Sequence, residues 1–103
     1  MIYYSCLGAQ TRRLERMVCF NMKIKIHQNY LPWERRIRLY RQYGILTRKD
    51  PINPTIWELL LPAGVELIES EVPVYWLFDD RTSTLIGILT EPFSSEGGRL
   101  QLM

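Results

Sequence analysis

The chain has 103 residues, thirteen of them Lys or Arg and eleven Asp or Glu, and its formal net charge is +2. A hydrophobic content of 47% is enough for one compact core, which excludes a chain that is disordered throughout. The longest apolar candidate, residues 59–61, ends at Pro62 and is far shorter than the ~20 residues that cross a bilayer. We therefore expect a single soluble domain that has no membrane partner.

Cysteine and histidine usage argues against a metal site. Cys6 and Cys19 lack CxxC spacing, and His27 is the single histidine, so a structural zinc site would lack ligands. Charged residues between positions 12 and 16 interrupt the apolar core that a secretory signal needs. We expect two free thiols, a cytoplasmic location, no metal and no cofactor.

The charges are sorted by position along the chain. Residues 1–49 hold eleven Lys and Arg but two acids, a formal charge of +9. Residues 50–103 hold two Arg and nine acids, a formal charge of −7. Such a chain pairs its halves internally, pairs them between copies, or presents one half to a partner of opposite charge. The charge pattern therefore predicts a charged interaction surface, and it does not identify a reaction.

The first part of the chain differs from the rest. Residues 1–21 show no clear hydrophobic period, and we interpret them as an N-terminal appendage outside the core. Residues 22–103 are interpreted as a single α+β domain. An alternative is that translation begins at Met22. If the appendage is present, Thr11 is placed to cap a short helix over residues 12–20.

The hydrophobic pattern sharpens at residue 22 and predicts a strand followed by a helix. Apolar residues alternate there with Lys23, Lys25 and His27, which is typical of a half-buried strand with a basic outer face. Pro32 and Glu34 suit the first turn of a helix, because proline needs no N–H partner there and an acid favours the positive end of the dipole. Gly44 is placed to end this helix.

The two faces of the predicted helix differ in polarity. At ~100° per residue, Trp33, Ile37 and Tyr40 fall on one stripe, which we expect to pack on a sheet. The opposite arc is basic and contains Arg35, Arg38 and Arg41. This phase predicts that Trp33→Ala destabilises the fold far more than Arg38→Ala, because truncation of a core aromatic leaves a cavity.

The acidic half has the pattern of a β-meander. Two prolines mark residues 47–54 as a loop. Alternation and turn residues predict strands over 56–61, 65–69, 74–78 and 84–90 and a short edge strand over 99–103. Gly87 predicts a bulge or bend, Trp76 is assigned to the core and Tyr75 to the surface. The predicted fold is α+β, a small and mostly antiparallel sheet or partly open barrel of about five strands, with one amphipathic basic helix packed on it.

The basic helix and the adjoining strand form the strongest candidate site. Guanidinium groups bind phosphate well because they donate hydrogen bonds in a rigid fork, and an exposed tyrosine can stack on a base. The candidate nucleic-acid-binding residues are Arg35, Arg38, Arg41, Lys23, Lys25, Arg48, Lys49 and Tyr43. The competing interpretation is that these cations pair with acids of the meander, within one chain or between copies in a homo-oligomer.

No sequence motif points to catalysis. The chain lacks Ser/His/Asp, Cys/His, P-loop and GxGxxG patterns, and adjacent acids at Asp79 and Asp80 suit a turn rather than a metal. A small metal-independent ribonuclease that uses His27 and Arg38 is the enzymatic alternative. We hypothesise a non-enzymatic module that binds an anionic partner, with nucleic acid favoured.

Overall fold

Eight strands and one α-helix form within the residues that the computed structural model describes, 16–17 and 23–103. A short 3₁₀ turn, Gln28–Tyr30, leads into the helix. The helix α1 spans Trp33–Tyr43. The strands are β1 Arg16–Met17, β2 Ile24–His27, β3 Leu46–Lys49, β4 Ile56–Leu60, β5 Val65–Glu69, β6 Val74–Asp79, β7 Thr84–Thr90 and β8 Arg99–Leu102.

The strands form two antiparallel sheets rather than one. The larger sheet has the order β1-β5-β6-β7-β8, and the smaller has the order β2-β4-β3. The helix packs on the smaller sheet, where the guanidinium of Arg36 lies over the ring of Trp57 in β4. The prediction of an α+β fold with mostly antiparallel strands and one packed helix is confirmed, and the sheets remain open rather than closing into a barrel.

The two sheets are joined where β2 meets the chain between β7 and β8. The N–H of Lys25 donates to the carbonyl of Pro92, and the N–H of Gly98 donates to the carbonyl of Lys25, both at 2.7 Å. The N–H of His27 then donates to Gly98 at 3.0 Å. A side chain at position 98 would collide with a carbonyl oxygen at the end of β7, so this joint requires glycine.

The central strand β6 has the predicted alternation, but its faces are inverted relative to the prediction. Tyr75 is buried and packs edge-to-face on Phe93 with ring centroids 5.2 Å apart, whereas Trp76 is 43% exposed. Burial raises the pKa of the Tyr75 phenol above its ordinary value. The assignments of Trp76 to the core and Tyr75 to the surface are therefore wrong. Both faces carry large apolar side chains, so the period of two does not reveal which face lies inside.

The bulge predicted near Gly87 is present between β6 and β7. Leu77 pairs with Gly87 while Phe78 pairs with Leu85, so β7 carries one extra residue between these pairs. A Cβ on Gly87 would lie 2.6 Å from the carbonyl oxygen of Gln101 in β8. Glycine therefore lets the neighbouring strand approach closely at this position.

The helix is rotated relative to the prediction. Trp33 and Tyr40 are 60% and 56% exposed, while Leu39 is fully buried. The expectation that the Trp33 stripe packs on the sheet is therefore wrong. The packed side also includes Arg35 and Arg36, whose polar heads reach backbone carbonyls, so their half-buried stems carry no unpaired charge into the core.

The predicted loop over 47–54 is wrong at its start, because Leu46–Lys49 forms β3 and pairs antiparallel with β4. β3 has no apolar alternation because it lies at the edge of the smaller sheet and most of its residues are exposed. The turn that follows is held by the Asp50 carboxylate, which accepts a hydrogen bond from the N–H of Ile52 at 2.8 Å.

The helix predicted over residues 12–20 is wrong at Arg16–Met17, which pair as strand β1 with Leu67 and Ile68 of β5. The remainder of the proposed appendage lies outside the described residues. Within the described residues, no helix is long and apolar enough to cross a membrane. The two residues of β1 form the edge strand of the larger sheet.

We expect Leu39→Ala to lower the free energy of unfolding by about 2–5 kcal/mol, because Leu39 is fully buried and its truncation leaves a cavity. Trp33→Ala should change it by less than ~0.5 kcal/mol, because the indole is exposed. Urea denaturation of the two variants measures both values. An equal loss of stability in the two variants would show that α1 packs through its Trp33 side after all.

A chain that begins at Met22 should still fold, because β1 adds only two paired residues at the outer edge of the larger sheet. We expect the circular dichroism spectrum to keep its strand and helix content and the melting temperature to fall by only a few degrees. A fall in Tm as large as that of Leu39→Ala would instead make residues 1–21 part of the core.

Candidate nucleic-acid interface

Two of the candidate arginines tie α1 to distant backbone. Arg35 Nη1 donates to the carbonyl oxygens of Tyr30 at 3.2 Å and Leu100 at 3.3 Å. Arg38 Nη2 donates to the backbone oxygen of Met103 at 2.8 Å. Arg35 is half-buried and its guanidinium is committed to the fold, whereas Arg38 is exposed and keeps donors that face solvent.

A third arginine, which was not a candidate, forms a stack with a tryptophan. The guanidinium carbon of Arg36 lies 4.1 Å from the ring centroid of Trp57, and its Nη1 donates to the carbonyl of Leu31 at 2.5 Å. The candidate Lys49 places its Nζ 5.9 Å from the same ring. The Trp57 ring therefore has the cations of Arg36 and Lys49 near it, so the candidate Lys49 already has a cation–π contact within the fold.

Lys25 and Arg48 form ion pairs with acids of the second half of the chain. Lys25 Nζ lies 3.4 Å from Asp50 Oδ2, and Arg48 Nε donates to Glu58 Oε1 at 2.8 Å. Both carboxylates are buried, whereas both cations reach solvent. For these two candidates, the alternative in which basic and acidic halves pair within one chain is the observed arrangement. The positive charges of Lys25 and Arg48 compensate buried carboxylates, so they are less available to an anionic partner.

The side of α1 that faces away from the sheets carries exposed rings beside a cation. We call it the outer face of α1, and it consists of Trp33, Ile37, Tyr40 and Arg41. At ~100° per residue these four lie within about 100° of arc. Arg41 is exposed, and its side chain forms no hydrogen bond or ion pair with the described residues. The sequence identified Arg41, but it assigned both rings to the core.

The other candidates are not part of the outer face. Lys23 is exposed just before β2. Tyr43 is half-buried and packs against the hydrophobic core, so its ring is poorly placed to stack on a base. The structure thus leaves Arg38 and Arg41 on exposed turns of α1. The other candidates bond to backbone carbonyls, pair with acids, lie near Trp57, pack on the core or precede β2.

Arg81 connects the end of α1 to the turn between β6 and β7. Its Nε donates to Asp79 Oδ1 at 2.9 Å, and its Nη2 donates to Asp79 Oδ2 at 3.2 Å and to the carbonyl of Tyr43 at 2.8 Å. The hydrogen bond from Arg81 holds the pKa of the Asp79 carboxyl below its ordinary value. Sequence reasoning treated Asp79 as a turn residue and did not identify its ion pair with Arg81, in which the carboxylate is buried and the guanidinium is partly exposed. The second acceptor of Arg81, the carbonyl of Tyr43, lies 38 residues away and leaves no local pattern.

The described residues contain no cluster of metal ligands, and their one histidine has a structural contact. No three His, Cys, Asp or Glu side chains among the described residues are grouped so that they could hold a metal ion. His27 Nδ1 accepts a hydrogen bond from the N–H of Asn29 at 3.2 Å and so caps the 3₁₀ turn. Comparison of the chain with protein-family models, curated proteins and solved structures gave no match. A functional proposal therefore depends on the surface chemistry alone.

The Asp79 ion pair should make the fold sensitive to acid. Its folded-state pKa is lowered from 3.8, so its contribution to stability is present above that pH and is lost as the pH falls through the lower folded-state value. We expect the free energy of unfolding, from urea titrations at pH 7 and pH 3, to fall with acid. Asp79→Asn should lose stability at pH 7 and show a smaller further loss at pH 3.

Asp80→Asn is the matched control, because Asp80 is the exposed neighbour of Asp79 in the same turn. This variant should keep the full acid sensitivity of the natural chain. The same acid-induced loss in Asp79→Asn and in the natural chain would show that another group, such as Asp50, dominates. The pKa of Asp50 is also lowered, chiefly by the hydrogen bond from the N–H of Ile52.

Proposed function

We propose that the protein is a non-enzymatic module that binds single-stranded nucleic acid through the outer face of α1. The observation that carries this proposal is the exposure of two aromatic rings, Trp33 at 60% and Tyr40 at 56%, on the same side of one helix as Arg41. Proteins that bind single strands combine aromatic rings, on which bases stack, with cations that contact the backbone phosphates.

The exposed rings favour a partner over a purely structural role. Trp33 and Tyr40 are among the side chains that a folded domain gains most from burying, yet neither lies in the core. Ile37 between them is half-buried and continues the apolar surface. Glu34 lies near Trp33, so the positive part of the outer face is its second half, near Arg41 and Arg38. A phosphate is therefore expected near that end and a base near each ring.

Single strands fit this surface better than a duplex does. In a duplex the faces of the bases are stacked on one another, so an aromatic side chain can reach them only after a base is unstacked. An unpaired base offers its face directly, and stacking tolerates any base because each has a π surface. The proposal consequently requires little sequence preference, and it leaves the choice between RNA and DNA to the measurement.

Fluorescence anisotropy with a labelled single-stranded oligonucleotide tests the proposal. Trp33→Ala and Tyr40→Ala should each weaken binding by about 5- to 150-fold, which is the effect of losing one stacked base. Arg41→Gln should flatten the dependence of log affinity on log salt concentration by about 0.7 units, as expected when one phosphate contact on a single strand is lost. The control is Trp76→Ala, which removes a 43% exposed indole from the larger sheet and should leave affinity unchanged.

Several results would contradict the proposal. Failure of the natural chain to bind any single strand at low salt would reject the function. Equal affinities of the natural chain, Trp33→Ala and Tyr40→Ala would reject the site. A change in sedimentation on Trp33→Ala, without nucleic-acid binding, would favour the alternative in which copies of the chain assemble. Cleavage of RNA without added metal, lost on His27→Ala, would favour the ribonuclease alternative.

A further inference from the structure

A cleft lies between the end of α1 and the turn that links β6 to β7. Its volume is about 570 Å³, and it is a shallow cleft that is widely open to solvent. The cleft adjoins the outer face of α1, because Tyr40 and Arg41 belong to both. The residues that matter for its chemistry are Tyr40, Arg41, Tyr43, Asp79, Arg81 and Thr82.

The Arg81 guanidinium is held in a fixed orientation in this cleft. Three hydrogen bonds, two to Asp79 and one to the carbonyl of Tyr43, use its Nε and Nη2 donors. The two N–H groups of Nη1 have no partner among the described residues. Because the rest of the side chain is already ordered, an anion that binds Nη1 does not have to immobilise a flexible arginine.

The end of a helix normally disfavours anions, because its last carbonyls carry partial negative charge. Here several of these carbonyls already accept hydrogen bonds. The N–H of Gly44 donates to Tyr40, the N–H of Ile45 donates to Leu39, and Arg81 donates to Tyr43. The Asp79 carboxylate is buried and paired with Arg81. The charges of Asp79 and Arg81 cancel, so the charge of Arg41 makes the cleft formally positive.

We propose that this cleft binds one nucleotide unit, with its phosphate held by Arg41 and Nη1 of Arg81 and its base against the ring of Tyr40. The inference rests on the proposed function and specifies it further. Tyr40 and Arg41 are adjacent in α1 and both line the cleft, so a strand that stacks a base on Tyr40 would bring its adjacent phosphate towards Arg41. Thr82 adds a hydroxyl group to the lining.

Nuclear magnetic resonance titration of the full chain with AMP, adenosine and inorganic phosphate tests the inference. AMP should shift the backbone amide signals of Gly44 and Thr82 and the Nε–H signal of Arg81. Its affinity should exceed that of adenosine and of phosphate by about tenfold each, because each of these lacks one set of contacts. Arg41→Gln should weaken AMP binding about tenfold without unfolding the chain, since the Arg41 side chain has no described partner.

Trp33→Ala separates the cleft from the proposed function, because Trp33 belongs to the outer face but does not line the cleft. It should weaken oligonucleotide binding and leave AMP binding unchanged. Oligonucleotide binding that depends on Trp33, with no AMP shifts at Arg81 or Gly44, would overturn the cleft inference alone. AMP binding in the cleft without oligonucleotide binding would overturn the proposed function alone. Equal affinity for AMP and adenosine, or for AMP and phosphate, would overturn the assignment of a nucleotide unit.

Discussion

The hydrogen bonds between β2 and the chain that follows β7 unite two small open sheets in one core. A three-stranded sheet with one helix, or a five-stranded sheet alone, would each leave an apolar face uncovered. The joint at Lys25 and Gly98 aligns them so that Ile26 of one sheet and Leu100 of the other share the same core. The helix α1 contacts both sheets, because Arg36 lies on Trp57 of β4 and Arg35 donates to the carbonyl of Leu100 in β8.

Two arginine side chains form part of the packed side of α1. The carbonyls of Tyr30, Leu31 and Leu100 provide acceptors for Arg35 and Arg36, so both residues can lie beside buried Leu39 without an unsatisfied charge. The packed surface is therefore partly made of arginine, whereas Trp33 and Tyr40, the two rings of the predicted apolar stripe, are turned to solvent. The functional proposal follows from this exchange, because it exposes two rings next to Arg41, whose guanidinium has no partner among the described residues.

The sequence predicted α1 and the strands of the meander, but it missed β1 and β3 and assigned the faces of α1 and β6 wrongly. Period-two alternation located the strands of the meander, and Gly44 and Gly87 marked the helix end and the bulge, because these features depend on neighbouring residues. The phase of α1 depends on acceptors such as Leu100, 65 residues from Arg35, which no local pattern reveals. For the site, the sequence identified exposed cations such as Arg41, but it missed the rings and Arg81 because their surroundings come from distant segments.

The cations of β3 also affect whether the smaller sheets of two molecules can pair edge to edge. β3 lies at the edge of the smaller sheet, where unpaired backbone groups can act as a template for a strand of another molecule. Arg48 and Lys49 are both exposed on this strand, and like charges would face each other if two copies joined edge to edge. Burial of Glu58 against Arg48 fixes one of these charges in place. Arg48 thus contributes both to the contact between β3 and β4 and to the positive charge along the exposed edge, a feature that disfavours edge-to-edge pairing.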